Sequence, residues 1–222
     1  MFTLRKSAAG IVAAAALVGP LALVTTPAAA QTIPSCDVRP RGTTFLTQPK
    51  TIDFDVPSAR HFTFRLPEIG LYVYDTSVDG DASVAQVDPK KLENADARWH
   101  LGTVERERGD GTTDTCTGIW RLRRGTRIEI TRVQKIKYGR KVTGTLERVN
   151  WGKTPKTRWA TYSDQEVDIQ FVNARGQWQY GGRVPVEHGR FTFTKQIGER
   201  TWRAYFQGTD ISGSDYSSEV TG

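Results

Sequence analysis

Three histidines, two cysteines and one crowded set of acids are the residues of this chain whose types could do chemistry. His61, His100 and His188 stand far apart, with no H-x-x-x-H pair, no cysteine cluster and no G-x-S-x-G elbow around them. The spacings that assemble a zinc site or a serine hydrolase are therefore missing. Asp75, Asp79 and Asp81 are the weak candidates for calcium. A calcium loop needs about six or more oxygens and usually a closing Glu, and Asp79-Gly80-Asp81 places its glycine too early. A solvated turn is the expectation there. No motif names a cofactor and no catalytic residue is nominated, so the chain reads as a non-enzyme.

The sharper chemical feature is basic. Between Arg121 and Arg158 stand 13 Lys or Arg, opposed only by Glu129 and Glu147, with Tyr138 and Trp151 interspersed and Trp159 following. Basic groups interleaved with aromatics can hold phosphate backbones and stack bases. On strands, the same charges at alternate positions simply form the wet face. Within this stretch a long loop is expected from Asn150 to Asp164, and long loops are where binding concentrates. It carries Trp151, Lys156, Arg158, Trp159 and Tyr162, which form the candidate ligand-binding set. The alternative is that one or both tryptophans fold back to cap the end of a sandwich. Trp178 and Trp202 sit in alternating runs and are expected in the core.

Charge also separates the two halves. Residues 31–117 hold 10 Lys and Arg against 14 Asp and Glu, a net of −4, whereas residues 118–222 hold 19 against 10, a net of +9. That asymmetry can dock the halves on each other or attract an acidic partner.

The elements that must position these residues begin after a leader. Arg5 and Lys6 head an apolar run from Ile11 to Val24, broken at Gly19-Pro20 and followed by Ala28-Ala29-Ala30. This is the pattern of a secretory signal peptide cleaved between Ala30 and Gln31. The run is shorter than the roughly 20 residues a membrane span needs, so the expectation is a secreted, extracellular protein with no stable membrane insertion. Ile33-Pro34-Ser35-Cys36 is a poor lipoprotein box, since Pro34 replaces a small residue. In an oxidising compartment Cys36 and Cys116 are expected to form one disulfide. For such an address, an anionic cell-surface polymer or another protein is a better partner than nucleic acid.

Beyond the leader, apolar residues recur at every second position in short runs bounded by turn residues, the mark of half-buried strands. The first half offers Thr51–Val56, His61–Leu66, Leu71–Tyr74, a weak run at Ala82–Val87, Trp99–Val104 and Thr115–Leu122. The second offers Thr126–Val133, Arg140–Val149, Gln165–Val172, Gln177–Val184, Arg190–Gln196, Arg200–Gln207 and Asp215–Val220. Trp120 to Gly125 reads as a short basic connector. The expected architecture is all-β: a signal peptide over 1–30, a disulfide-bearing β-sandwich over 31–122 and a second, immunoglobulin-like sandwich over 123–222.

Residues 126–220 resemble the immunoglobulin-like β-sandwich domains of small secreted actinobacterial proteins. The resemblance rests on Val142-Thr-Gly-Thr-Leu146, Trp151 and Trp159, Val167-Asp-Ile-Gln-Phe171, Gly176-Gln-Trp178, Gly189-Arg-Phe191 and Trp202-Arg-Ala-Tyr-Phe-Gln-Gly208. Cys116-Thr-Gly-Ile-Trp120-Arg-Leu122 is similar to the close of the companion domain. The resemblance implies fold and secretion and brings no activity. The functional expectation is a secreted, non-catalytic binding module acting at or near the cell envelope through the basic, Trp-bearing loop face of the second domain. Two other classes stay open. One is a carbohydrate-active enzyme or accessory, whose carboxylate pair would meet only in three dimensions; the other is a purely structural extracellular protein.

Overall fold

Alternation in the sequence becomes alternation across a sheet throughout the computed structural model, which describes residues 34–45, 47–75, 83–152 and 158–222. The segment expected to be a leader, Asp79, Asp81 and Lys156 lie outside the described residues. The chain from Ile33 to Gly222 holds together as one unit around two hydrophobic cores.

The first core lies between strands β1 (Ser35–Cys36), β2 (Gly42–Phe45), β3 (Lys50–Phe54), β4 (His61–Leu66), β5 (Leu71–Tyr74), β6 (Ser83–Val87), β7 (Trp99–Glu107) and β8 (Thr113–Arg124). One sheet runs β1-β8-β7-β4-β5, with β2 following β1 along the same side of β8, both parallel to it. The opposing sheet is the β3–β6 pair. Phe54 of β3 meets Phe64 of β4 and Trp120 of β8, each at 5.8 Å between ring centroids, which is how the two sheets close face to face. The parallel entry of β1 sets Cys36 opposite Gly118, two residues from Cys116, and the disulfide joins them at a Cα separation of 5.7 Å.

The expected connector at Trp120–Gly125 is corrected by the structure. Trp120 to Arg124 are the closing residues of β8, where Trp120 and Leu122 are fully buried and Arg124 nearly so. Arg121 and Arg123, which suggested a linker, alternate with these inward side chains, a strand pattern rather than a loop pattern. Gly125 alone separates β8 from the next strand.

The second core is enclosed by β9 (Thr126–Ile136), β10 (Gly139–Asn150), β11 (Arg158–Thr161), β12 (Gln165–Val172), β13 (Trp178–Val186), β14 (Arg190–Lys195), β15 (Thr201–Phe206), β16 (Asp215–Tyr216) and β17 (Val220–Thr221). In one sheet β10 is flanked by β9 on one side and by β14 and β11 in succession on the other. The other sheet runs β13-β12-β15-β16, with β17 also on β15. The chain crosses between the sheets at β11–β12, β13–β14 and β14–β15, as in an immunoglobulin-like sandwich. Trp202 of β15 fills the centre, with Phe171 at 5.6 Å and Phe193 at 6.2 Å. β13 passes to β14 through His188 and Gly189, with φ of 50° and 72°, while Glu187 and Arg190 exchange two backbone hydrogen bonds of 2.8 Å. Positive φ at both central residues is the two-residue hairpin geometry that matches strand twist. It also places His188 in a turn.

Candidate binding surface

The structure separates the candidate ligand-binding set instead of gathering it on one surface. β11 forms inside the stretch expected to be loop and pairs Arg158–Thr161 with Glu147–Asn150 of β10. Trp151, just past β10, is fully buried, and it belongs to the first core although its strand belongs to the second sandwich. Its backbone N–H donates to Asn94 Oδ1 at 2.9 Å. Trp159 is half-buried against the same core and carries the Arg127 guanidinium 4.8 Å above its ring. Tyr162 is buried in the second core, edge-on to Phe206 at 5.7 Å. Arg158 alone of the described members is exposed. Trp151 and Tyr162 therefore cannot offer their rings to an outside ligand; burying a large aromatic side chain against a core stabilises it far more than leaving it in water.

The titratable candidates are equally dispersed. His100 is buried, with Nδ1 2.9 Å from Glu68 Oε1 and Nε2 2.8 Å from the Asp96 carbonyl, a pinned structural imidazole. Burial works to raise the Glu68 carboxyl, but its own backbone N–H and His100 outweigh it and hold the group below its ordinary value. The Asp75 side chain is almost completely enclosed, 3.8 Å from His61 Nδ1. Among the described residues no group of three or more His, Cys, Asp or Glu is arranged to hold a metal ion.

The surface that the chain does build lies on the outer side of the first large sheet. β7 alternates strictly, sending His100 and Val104 inward and Trp99, Leu101, Thr103 and Glu105 outward. Its register with β8 puts Trp99 opposite Arg121 and Leu101 opposite Ile119. Trp99 is 48% exposed, Leu101 68% and Ile119 44%, so three large apolar side chains adjoin in water. Arg121 lies 4.8 Å over the Trp99 ring and is held there by the Asp210 and Thr209 carbonyls at 2.9 and 3.1 Å, and by the Asp210 carboxylate. With Cys36, Val38 and Arg41 of the entering segment, Trp99, Leu101 and Ile119 line an open cavity of about 730 Å³.

Farther along the same face the character changes. Arg65 of β4 grips Glu105 with two hydrogen bonds of 3.0 and 3.1 Å, and Tyr72 and Tyr74 project from edge strand β5. A smaller cavity of about 390 Å³ follows, lined by His61, Asp75, Glu105, Arg106, Glu107 and Asp114 among others. The face is thus apolar at one end and lined by charges of both signs at the other.

Sequence reasoning missed Trp99 and Leu101, although a signal was present. Glu105 and Glu107 share their phase on the strand, which marks that phase as the wet side.

No family model matches this sequence, and no curated protein is similar to it. Solved structures give remote likenesses only. A tetra-tandem repeat from the extending region of a large adhesion protein is 11% identical, with a TM-score of 0.33, over 85% of this chain and 49% of that one. Murine CEACAM1b is 9% identical, with a TM-score of 0.36, over 84% of this chain and 96% of that one. A β-glucuronidase from Parabacteroides merdae is 8% identical, with a TM-score of 0.25, over 84% of this chain and 24% of that one. The chain spans about half the length of the adhesion repeat array.

Proposed function

We propose that this protein is a secreted, non-catalytic binding module that engages another protein through the outer face of its first sandwich. The observation that carries the reading is the cluster of Trp99, Leu101 and Ile119, exposed side by side beside an open cavity. Single exposed apolar residues are ordinary, whereas contiguous ones rimmed by charge mark contact sites. A Trp stacked by an Arg that is itself held by hydrogen bonds is a rigid anchor, and Trp and Arg dominate the energetics of protein interfaces. The leader pattern and the Cys36–Cys116 disulfide support an exported protein working in an oxidising compartment. Among the described residues no helix is long and apolar enough to cross a membrane.

The reading moves the expected contact surface from the basic loop to the outer sheet face, and the two make opposite predictions. Mature protein should be retained on a purified cell-envelope fraction in a manner that survives high salt, because apolar burial is not screened. Trp99→Ser combined with Leu101→Ser should abolish retention, while Arg158→Ala should leave it unchanged. Loss of a central Trp anchor costs about 2 kcal/mol or more, roughly 30-fold in affinity. Retention that disappears with salt and with Arg158→Ala, but not with the sheet-face pair, would show an anionic polymer on the basic half instead.

A further inference from the structure

We infer that the junction between the two sandwiches holds a binding site for a tetrahedral oxyanion, formed by Arg124 and Arg148. The site uses different residues from the sheet face, so either reading can fail alone. Arg124 ends β8 and is only 7% exposed. Its Nη1 donates to Asn94 Oδ1 at 2.8 Å, and its Nε–H is enclosed with no acceptor. Arg148 of β10 is half-buried, stacks 3.9 Å over the Tyr162 ring and donates from Nη1 to Ser212 Oγ at 3.1 Å. Ser212 is fully buried and is zipped to the Arg124 backbone by a parallel bridge, which brings the second arginine's partner onto the first arginine's strand.

No described carboxylate pairs with either guanidinium. Glu147, the neighbour of Arg148, is held by Arg127; Asp210, two residues before Ser212, is held by Arg121; and Asp215 accepts from the Ile128 N–H. Two like charges, one buried and one half-buried, are thus set against neutral acceptors only, an unfavourable arrangement unless an opposite charge is supplied. Burial first, and then the Arg148 charge, push Arg124 down to about 10, and burial holds Arg148 below its ordinary value.

What the junction lacks is negative charge and an acceptor for the Arg124 Nε–H, while hydroxyl groups are at hand. Ser212 Oγ lies 3.3 Å from the Tyr162 hydroxyl, which lies 3.5 Å from Thr209 Oγ1. A phosphate-type anion supplies both, since its oxygens accept from forked guanidinium donors and from hydroxyls together. Arg148, the more exposed of the two, is the side of entry. Such an anion would be either a free ion or a phosphate group on a larger molecule.

The test is calorimetric titration of the mature protein with inorganic phosphate, together with melting curves in phosphate and in chloride at matched ionic strength. At a hundredfold excess over Kd the melting temperature should rise by about 5–10 °C. Arg148→Gln should still fold and should lose both the heat of binding and this shift. Arg124→Met, which keeps the stem and removes the buried charge, should lose them too while melting no lower than wild type without phosphate. Competition by glycerol 3-phosphate would assign the site to a phosphate group on a larger molecule, and failure to compete would assign it to the free ion. Equal melting in phosphate and chloride overturns the inference. So does a shift that persists in both variants, because phosphate also stabilises folded proteins generally by exclusion from their surface.

Discussion

Trp151→Ala tests how the two sandwiches are joined. The side chain is fully buried, and it packs in the first core while its backbone extends β10 of the second sandwich. Truncating a core tryptophan to alanine costs about 3–5 kcal/mol, because the lost transfer energy is compounded by a cavity that the surroundings only partly fill. At about 2–4 °C per kcal/mol for a protein of this size, the melting temperature should fall by roughly 6–20 °C. Trp151→Phe should cost much less. It keeps most of the apolar volume and removes an indole N–H that is enclosed without an acceptor, so no hydrogen bond is lost with it. Thermal melts followed by near-ultraviolet circular dichroism decide the matter. Both halves should remain in one transition that moves as a whole, since the substitution weakens a core shared through β10. A change below about 2 °C for the alanine variant, with tertiary signal intact, would refute this placement of Trp151 and return it to the surface. Loss of a first transition with the second unmoved would refute the coupling.

Three further outcomes follow from particular contacts. Reducing Cys36–Cys116 should destabilise the protein by about 2–5 kcal/mol in denaturant titrations, and intact mass after alkylation should show no free thiol before reduction and two after it. Asp215 is partly buried, and that burial raises its carboxyl despite hydrogen bonds from the Ile128 and Tyr216 N–H groups. The folded state then holds the proton more tightly than the unfolded state, so this group's contribution to stability should grow as pH falls through the carboxylate range. Asp215→Asn should stabilise slightly at neutral pH and lose that advantage in acid, measured as the difference between two melting curves. Gly144→Ala places a Cβ inside contact distance of the Glu129 carbonyl and the Phe191 ring at the β9–β10 register shift. It should cost about 1–3 kcal/mol by chemical denaturation.

Strands β12 and β15 of the second sandwich were legible because their apolar residues alternate without interruption. Val167, Ile169 and Phe171 face one core, and Trp202, Ala204 and Phe206 close on it from β15. The short strands β1 and β2 were not legible, because two- and four-residue edges paired in parallel to a distant strand leave no periodic trace. β11 was hidden for a related reason. Four residues rich in polar and small groups read as loop until the pairing with β10 is known, and with that pairing Trp159 turns toward the first core. Basic residues misled at Trp120–Gly125 because charge on the sides of a strand looks like a solvated linker when the partner strands are unseen. The candidate surface was half-visible. The phase of Glu105 and Glu107 exposes Trp99 and Leu101, but nothing in the sequence places Ile119 and Val38 beside them.

The covalent joint between Cys36 and Cys116 also decides how the molecule would bear a pull on its two ends. Tension entering at Pro34 reaches Cys36 almost at once and crosses to Cys116, which lies on β8, the strand that leads into the second sandwich. The two cysteines stand 80 positions apart in the chain, and everything between them is bypassed by the load. Stretching can therefore unravel the second sandwich while the loop carrying Trp99 and Leu101 keeps its length. Of the face proposed for contact, Trp99 and Leu101 lie inside the bypassed loop, whereas Ile119 and Arg121, beyond Cys116, stay on the loaded strand.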